Sequence, residues 1–172
     1  MANTYTLIAS NTLSSSAASV TFSAIPNTFT DLVLRASVRN TVSSAGMNMK
    51  IEINGSTSSV YSETRLGGYN STTFSDTTSN ATTSEVGYVN GDTSTADTFS
   101  SVEIYIPSYT ASQNKPFSSI SALEQNATTN WFIVAYADLF RDTSAINSIK
   151  LKPNSDNWKS GSSFFLYGIK NS

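Results

Sequence analysis

The side chains that could do chemistry in this chain are almost all carboxylates, because the sequence contains no histidine and no cysteine. Histidine is the side chain best suited to proton transfer near neutral pH and the commonest metal ligand, so Ser-His-Asp catalysis, Cys-His catalysis and His-ligated zinc are all ruled out. The absence of cysteine also removes disulfides, thiolate nucleophiles and Cys-ligated metals. What remains is acid chemistry of the kind a glycosidase performs with two carboxyl groups facing each other across a cleft. Glu63, Glu85, Glu103, Glu124 and Asp138 are the candidates. Their spacing singles out no pair, and the expectation is solvated acids on strand faces and turns.

The stretch "NGDTSTAD" places Asn90, Asp92 and Asp97 in one polar loop that could offer oxygen ligands to calcium. It lacks the regular spacing of an EF-hand, and the plainer reading is a turn with Asx-type hydrogen bonds. "RLGGYN" has neither the GK[ST] ending of a phosphate-binding loop nor a helix after it. Asn-x-Ser/Thr tripeptides begin at Asn54, Asn70, Asn80 and Asn126, as is ordinary in a chain in which Ser and Thr make up close to a third of the residues. Five aromatics stand in or beside polar stretches: Tyr69, Phe74, Tyr109, Phe117 and Trp158. Each is a candidate for stacking on a sugar or anchoring an interface, against the competing reading that loop aromatics plug the ends of a fold.

These residues must be carried by strands. In "DLVLRASVR" Leu32, Leu34, Ala36 and Val38 fall on one side while Val33, Arg35, Ser37 and Arg39 fall on the other. That period of two is the mark of a half-buried strand. "MNMKIEI" repeats it, with Met47, Met49, Ile51 and Ile53 inward, and stops at Asn54-Gly55, a turn pair tolerant of positive φ. "SVTFSAI", "EVGYV", "SVEIYI", "NSIKLKP" and the closing "FFLYGIK" alternate likewise. "NWFIVAYADLF" is apolar on both faces, which predicts a central strand covered on both sides. "FFLYGIK" also has two apolar faces, so it too needs two covers, one being the domain's own core and the other a sheet edge or a neighbouring subunit. The region around "SISALEQNA" is the best helical candidate and amounts to a short helix at most.

The expectation is therefore one all-β domain spanning residues 1–172, an antiparallel β-sandwich of jelly-roll-like type, with residues 67–82, "GGYNSTTFSDTTSNAT", as an exposed polar loop. Neither fixed-period repeats nor heptads interrupt it. The net charge of −2, with 13% of residues charged and no run of like charges, removes the phosphate-neutralising drive of a nucleic-acid binder. No apolar run approaches the length of a spanning helix, and "MANTYTLIAS" lacks the basic-then-apolar layout of a secretory signal.

Taken together, "YTLIAS", "VTFSAIPNTFTDLVLRASVR", "EIYIPSYT" and "LYGIKN" give a chain that resembles the β-sandwich virion structural proteins of tailed bacteriophages, in particular small virion proteins of phages of cyanobacteria and other aquatic bacteria. The resemblance spans nearly the whole chain and rests on strand and turn motifs, with no catalytic signature to carry over. It implies a virion location after assembly in the host cytoplasm. It also implies a role in assembly or attachment, by decorating a capsid, joining a tail or serving as a fibre module, and the reading taken from it is a non-enzymatic capsid decoration or cement protein, expected as a trimer, with the major capsid protein, other virion proteins and copies of itself for partners. The alternative it implies is a tail or fibre module that binds host-surface glycans through loop aromatics. No cofactor, nucleic acid or membrane insertion is expected.

Overall fold

A computed structural model describes residues 5–170. Twelve strands form among them, and no helix. In chain order they are β1 (Tyr5–Thr12), β2 (Val20–Phe22), β3 (Asp31–Val38), β4 (Gly46–Ile53), β5 (Tyr61–Tyr69), β6 (Thr72–Ala81), β7 (Ser84–Asn90), β8 (Ser100–Ile106), β9 (Lys115–Leu123), β10 (Phe132–Phe140), β11 (Ile149–Pro153) and β12 (Ser163–Ile169). They make two sheets, one of eight strands in the order β1-β12-β3-β8-β9-β10-β5-β6 and one of four in the order β2-β11-β4-β7. Every ladder between named strands is antiparallel. The sandwich expected from the alternation is present. Its division into eight strands against four does not by itself mark it as a jelly-roll.

The core follows the predicted parity. Leu32, Leu34, Ala36 and Val38 of β3 and Val102, Ile104 and Ile106 of β8 point inward and meet Met49, Ile51 and Ile53 of β4 from the other sheet. Burying each such side chain contributes about 1.5–3 kcal/mol, and alternation places one at every second position. The Asn54-Gly55 signal is a tight turn, with φ of +52° and +65° and Ser56 N donating to Ile53 O at 3.0 Å. Asn70 (+51°), Asn80 (+55°) and Asn126 (+54°) also have left-handed backbone. All four Asn-x-Ser/Thr asparagines therefore sit where the chain needs a residue that tolerates positive φ.

Three local expectations are corrected. Residues 67–82 are not a loop: they hold the end of β5 and all of β6, joined by the two-residue turn Asn70-Ser71. β6 is an edge strand that is exposed on most of both faces, so it never needed the apolar alternation that reveals a strand in sequence. The "SISALEQNA" stretch is the end of β9 and the loop after it, because Phe117, Ser119, Ser121 and Leu123 all face the core at a period of two. β10 lies between β9 and β5 as a central strand should, yet only its Val134-Tyr136-Asp138-Phe140 side is covered, and Ile133 on the other side is 53% exposed.

β12 is tied between β1 and β3, which explains an aromatic strand so close to the chain's end. Phe164 and Leu166 are fully buried. Gly168 is there because Phe29 lies flat against it: a Cβ at that position would come within 2.3 Å of the ring. On the other face Phe165 and Tyr167 are only half covered. Asn171 and Ser172, which end the closing stretch, lie outside the described residues.

Candidate functional site

Of the five aromatics read as loop residues, three belong to the interior. Trp158 is fully buried, donates Nε1–H to Leu151 O at 3.2 Å and meets Phe164 edge-on at 5.5 Å. Its backbone bonds both ways with Ala17, so the polar segment between β11 and β12 is stitched down over the core. Tyr109 is buried with its hydroxyl donating to Pro26 O, and Phe117 is an inward residue of β9. Tyr69 and Phe74 share the inner side of the β5–β6 hairpin. Tyr69 stacks on Phe132 at 4.3 Å, Phe132 in turn meets Tyr88 at 4.2 Å, and the Arg65 guanidinium stands 5.8 Å from the Phe74 ring. The fold thus leaves two of the five, Tyr69 and Phe74, half-buried on one side of the hairpin and places the other three in the interior.

The loop read as a possible calcium ligand set already encloses a cation. Arg39, 3% exposed, sends Nη1 to Thr95 O (2.7 Å) and Thr98 O (3.1 Å), and Nη2 to Ser94 O (2.8 Å) and Asp92 O (3.3 Å). The carbonyls that would face an ion face the guanidinium. Asp92 is paired with Lys159, which holds its carboxyl below the usual range, and the Asn90 side chain bonds Thr98 and Ser100. Among the described residues no group of three or more acids is placed to hold a metal.

The five acids separate by partner. Glu103 pairs with Arg35 at 2.7 Å on the outside of the large sheet. Glu85 accepts from Arg65 (2.8 Å) and Asn48 (2.7 Å), and Glu124 accepts the backbone N–H groups of Gln125 and Asn126 in a turn. Glu63 and Asp138 are direct cross-strand partners on β5 and β10, pointing inward and nearly sealed from water. Ser84 Oγ of β7 lies 2.6 Å from Asp138 Oδ1 and 3.2 Å from Glu63 Oε2. Burial, reinforced by Glu63 and Glu85 and opposed by the Ser84 hydrogen bond, pushes the Asp138 carboxyl up to about 8. Burial raises Glu63 as well. The sequence could not pair these acids, since 75 positions of chain separate them and only sheet register makes them neighbours. The arrangement favours keeping a proton inside the sandwich, on neighbouring strands of one sheet, and does not set two acids on opposite walls of a cleft.

The largest exposed feature is the outer face of the eight-stranded sheet. Every large hydrophobic side chain with substantial exposure among the described residues projects from it: Tyr5, Leu7, Leu66, Tyr105, Ile120 and Ile133. Between them stand small residues, such as Ser37, Ser101, Ser118, Ala122 and Ala135. Its charged side chains on the strands are Arg35 and Glu103, which neutralise each other, and Asp31 at the end of β3, which accepts from Tyr105 Oη and Ser108 N. Ordinary solvent faces of sheets alternate apolar-in with charged or polar-out, and this outer face departs from that pattern. The signal was present in sequence as Ile120, out of step with its strand's inward residues, and as the two-sided β10. Neither pointed outward until the parity was fixed by the core.

No protein-family model matches the chain, and neither a curated protein nor a solved structure does.

Proposed function

We propose that this chain is an adhesive structural component of a tailed-bacteriophage particle, a capsid decoration or cement protein that works by burying its outer sheet face against other virion subunits. The observation that carries this reading is the nearly charge-free outer face of the eight-stranded sheet with its six projecting apolar side chains. The virion assignment itself rests on the resemblance of the strand and turn segments. A protein that binds only the assembled shell stabilises it by mass action, by about 2.7 kcal/mol per site when its free concentration is 100 times Kd. Absence of cysteine and histidine suits such a role, since neither redox state nor mild pH change alters the contact surface.

Immuno-electron microscopy of intact particles, with antibody raised against the chain, tests the assignment. Regular labelling of the head supports it, labelling of tail or fibre moves the protein there, and particles free of label overturn it. The glycan-binding alternative retains Tyr69 and Phe74 as its ring surface; binding of host polysaccharide by the isolated domain, lost in Tyr69→Ala, would favour it.

A further inference from the structure

We infer that the outer face of the eight-stranded sheet is occupied by a second copy of this chain, packed face to face about a two-fold axis that runs parallel to the strands between β3 and β8. This deepens the adhesive reading above and rests on it.

Charge and register select that axis. Arg35 and Glu103 are cross-strand partners at the middle of the face. Rotation about a line above the gap between them lays Arg35 of each copy over Glu103 of the other, so the pair becomes a four-membered alternating cluster. A charged partner gains nothing from a face that is already neutral, whereas a self-complementary interface needs this arrangement.

The rows on either side agree. In the central row β12 then faces β9, which sets Phe165 on Ile120. In the row that contains Leu7, Tyr167, Val33, Tyr105, Ser118 and Ala137, the same rotation sets Leu7 on Ala137, Tyr167 on Ser118, and Tyr105 on the recessed Val33. In the third row Ile133 meets Thr12. Large meets small at Leu7, Tyr167, Tyr105 and Ile133, while Phe165 and Ile120 meet apolar on apolar beside the charged pair, an arrangement that lets two sheet faces pack closely. Six strands of each copy overlap and offer about 650 Å² of projected face. Side-chain relief brings the buried area to about 800 Å² per partner, the size of a standard stable interface. β5 and β6 extend past the overlap, and Leu66 of each copy stays uncovered.

Sedimentation equilibrium on the full chain tests this, with circular dichroism to confirm that each variant is folded. The wild type is expected at twice the chain mass, and Ile120→Glu is expected to weaken the association about 100-fold. Glu103→Arg puts four arginines at the axis and Arg35→Glu puts four glutamates there, so each alone is expected to be monomeric, while an equimolar mixture of the two recovers the dimer. A monomeric wild type, a trimer, a dimer that ignores Ile120→Glu, or a mixture that stays monomeric overturns the proposal. Pelleting with purified phage heads is read in parallel. A monomer that still pellets overturns the dimer and leaves the adhesive role standing, whereas a dimer that never binds heads keeps the pairing and removes the role.

Discussion

Asp138 and Glu63 stand directly opposite each other on β10 and β5, and a single hydroxyl, Ser84 Oγ, lies within hydrogen-bond distance of both. A serine hydroxyl has one proton to give, so both contacts are hydrogen bonds only if one of the carboxyls carries a proton of its own. Desolvation demands the same thing, because two bare carboxylates sharing one dry site repel each other.

The consequence is a stability that falls with rising pH. An acid whose folded carboxyl holds its proton more tightly than the unfolded one contributes fully below the unfolded value. That contribution is lost as pH rises toward the folded value, here from 3.8 to about 8 for Asp138. Between pH 5 and pH 8 the wild type should lose on the order of 2–4 kcal/mol. Asp138→Asn keeps the shape and removes the Asp138 titration, so its thermal midpoint should fall less over that window than the wild type's, with the buried Glu63 left as the remaining raised acid. An equal slope in wild type and variant, measured by calorimetry, would show that the pair does not hold the proton.

Trp158 distinguishes a structural ring from a ligand-binding one. Buried against Phe164 with its indole N–H bonded to Leu151 O, it should cost about 3–5 kcal/mol when replaced by alanine. Urea unfolding measures this. An unchanged midpoint would return Trp158 to the surface.

Arg39 holds four carbonyl oxygens of the loop after β7, so Arg39→Met should strip those of Asp92, Ser94 and Thr98 of their donor together, while Thr95 O keeps the backbone N–H and hydroxyl of Thr98. A loss of about 3 kcal/mol is expected, since buried acceptors lose a charged donor and gain nothing. Hydrogen exchange should show lost protection concentrated in residues 91–99 while β3 and β8 remain protected. Calcium should leave the melting temperature of the wild type unchanged, because the guanidinium occupies the place of an ion.

Gly168→Ala should destabilise the chain by about 1–3 kcal/mol, because the added methyl meets the ring atoms of Phe29 at 2.3–2.6 Å and the ring must shift. Gly55→Ala strains its turn through φ instead, at +65° with open space around it. Comparing the two by thermal melting separates crowding from backbone strain.

Local alternation was enough to place most strands, because a period of two is a property of the backbone itself and burial simply selects which parity is apolar. Thus Leu32 to Val38 and Met49 to Ile53 could be assigned inward from their spacing alone, and the left-handed asparagine at 54 from its Asn-Gly context. β6 escaped because an edge strand with both faces wet has no apolar side to display. Arg39 and Glu52 escaped for another reason: parity marked them as outward, but the loop after β7 folds over Arg39, while Lys150 and Lys152 close over Glu52.

What the sequence by itself determined is that the chain makes sheets, which side chains share a face, and that no histidine or thiol chemistry occurs on them. Tertiary structure alone decided how many strands each sheet has, that Asp138 meets Glu63, and which apolar face is left uncovered. A four-stranded sheet covers only one side of its eight-stranded partner, so Ile120, Ile133 and Leu66, apolar by sequence like any core residue, end up in solvent. Covering is a relation between distant segments, and parity within one segment carries no information about it.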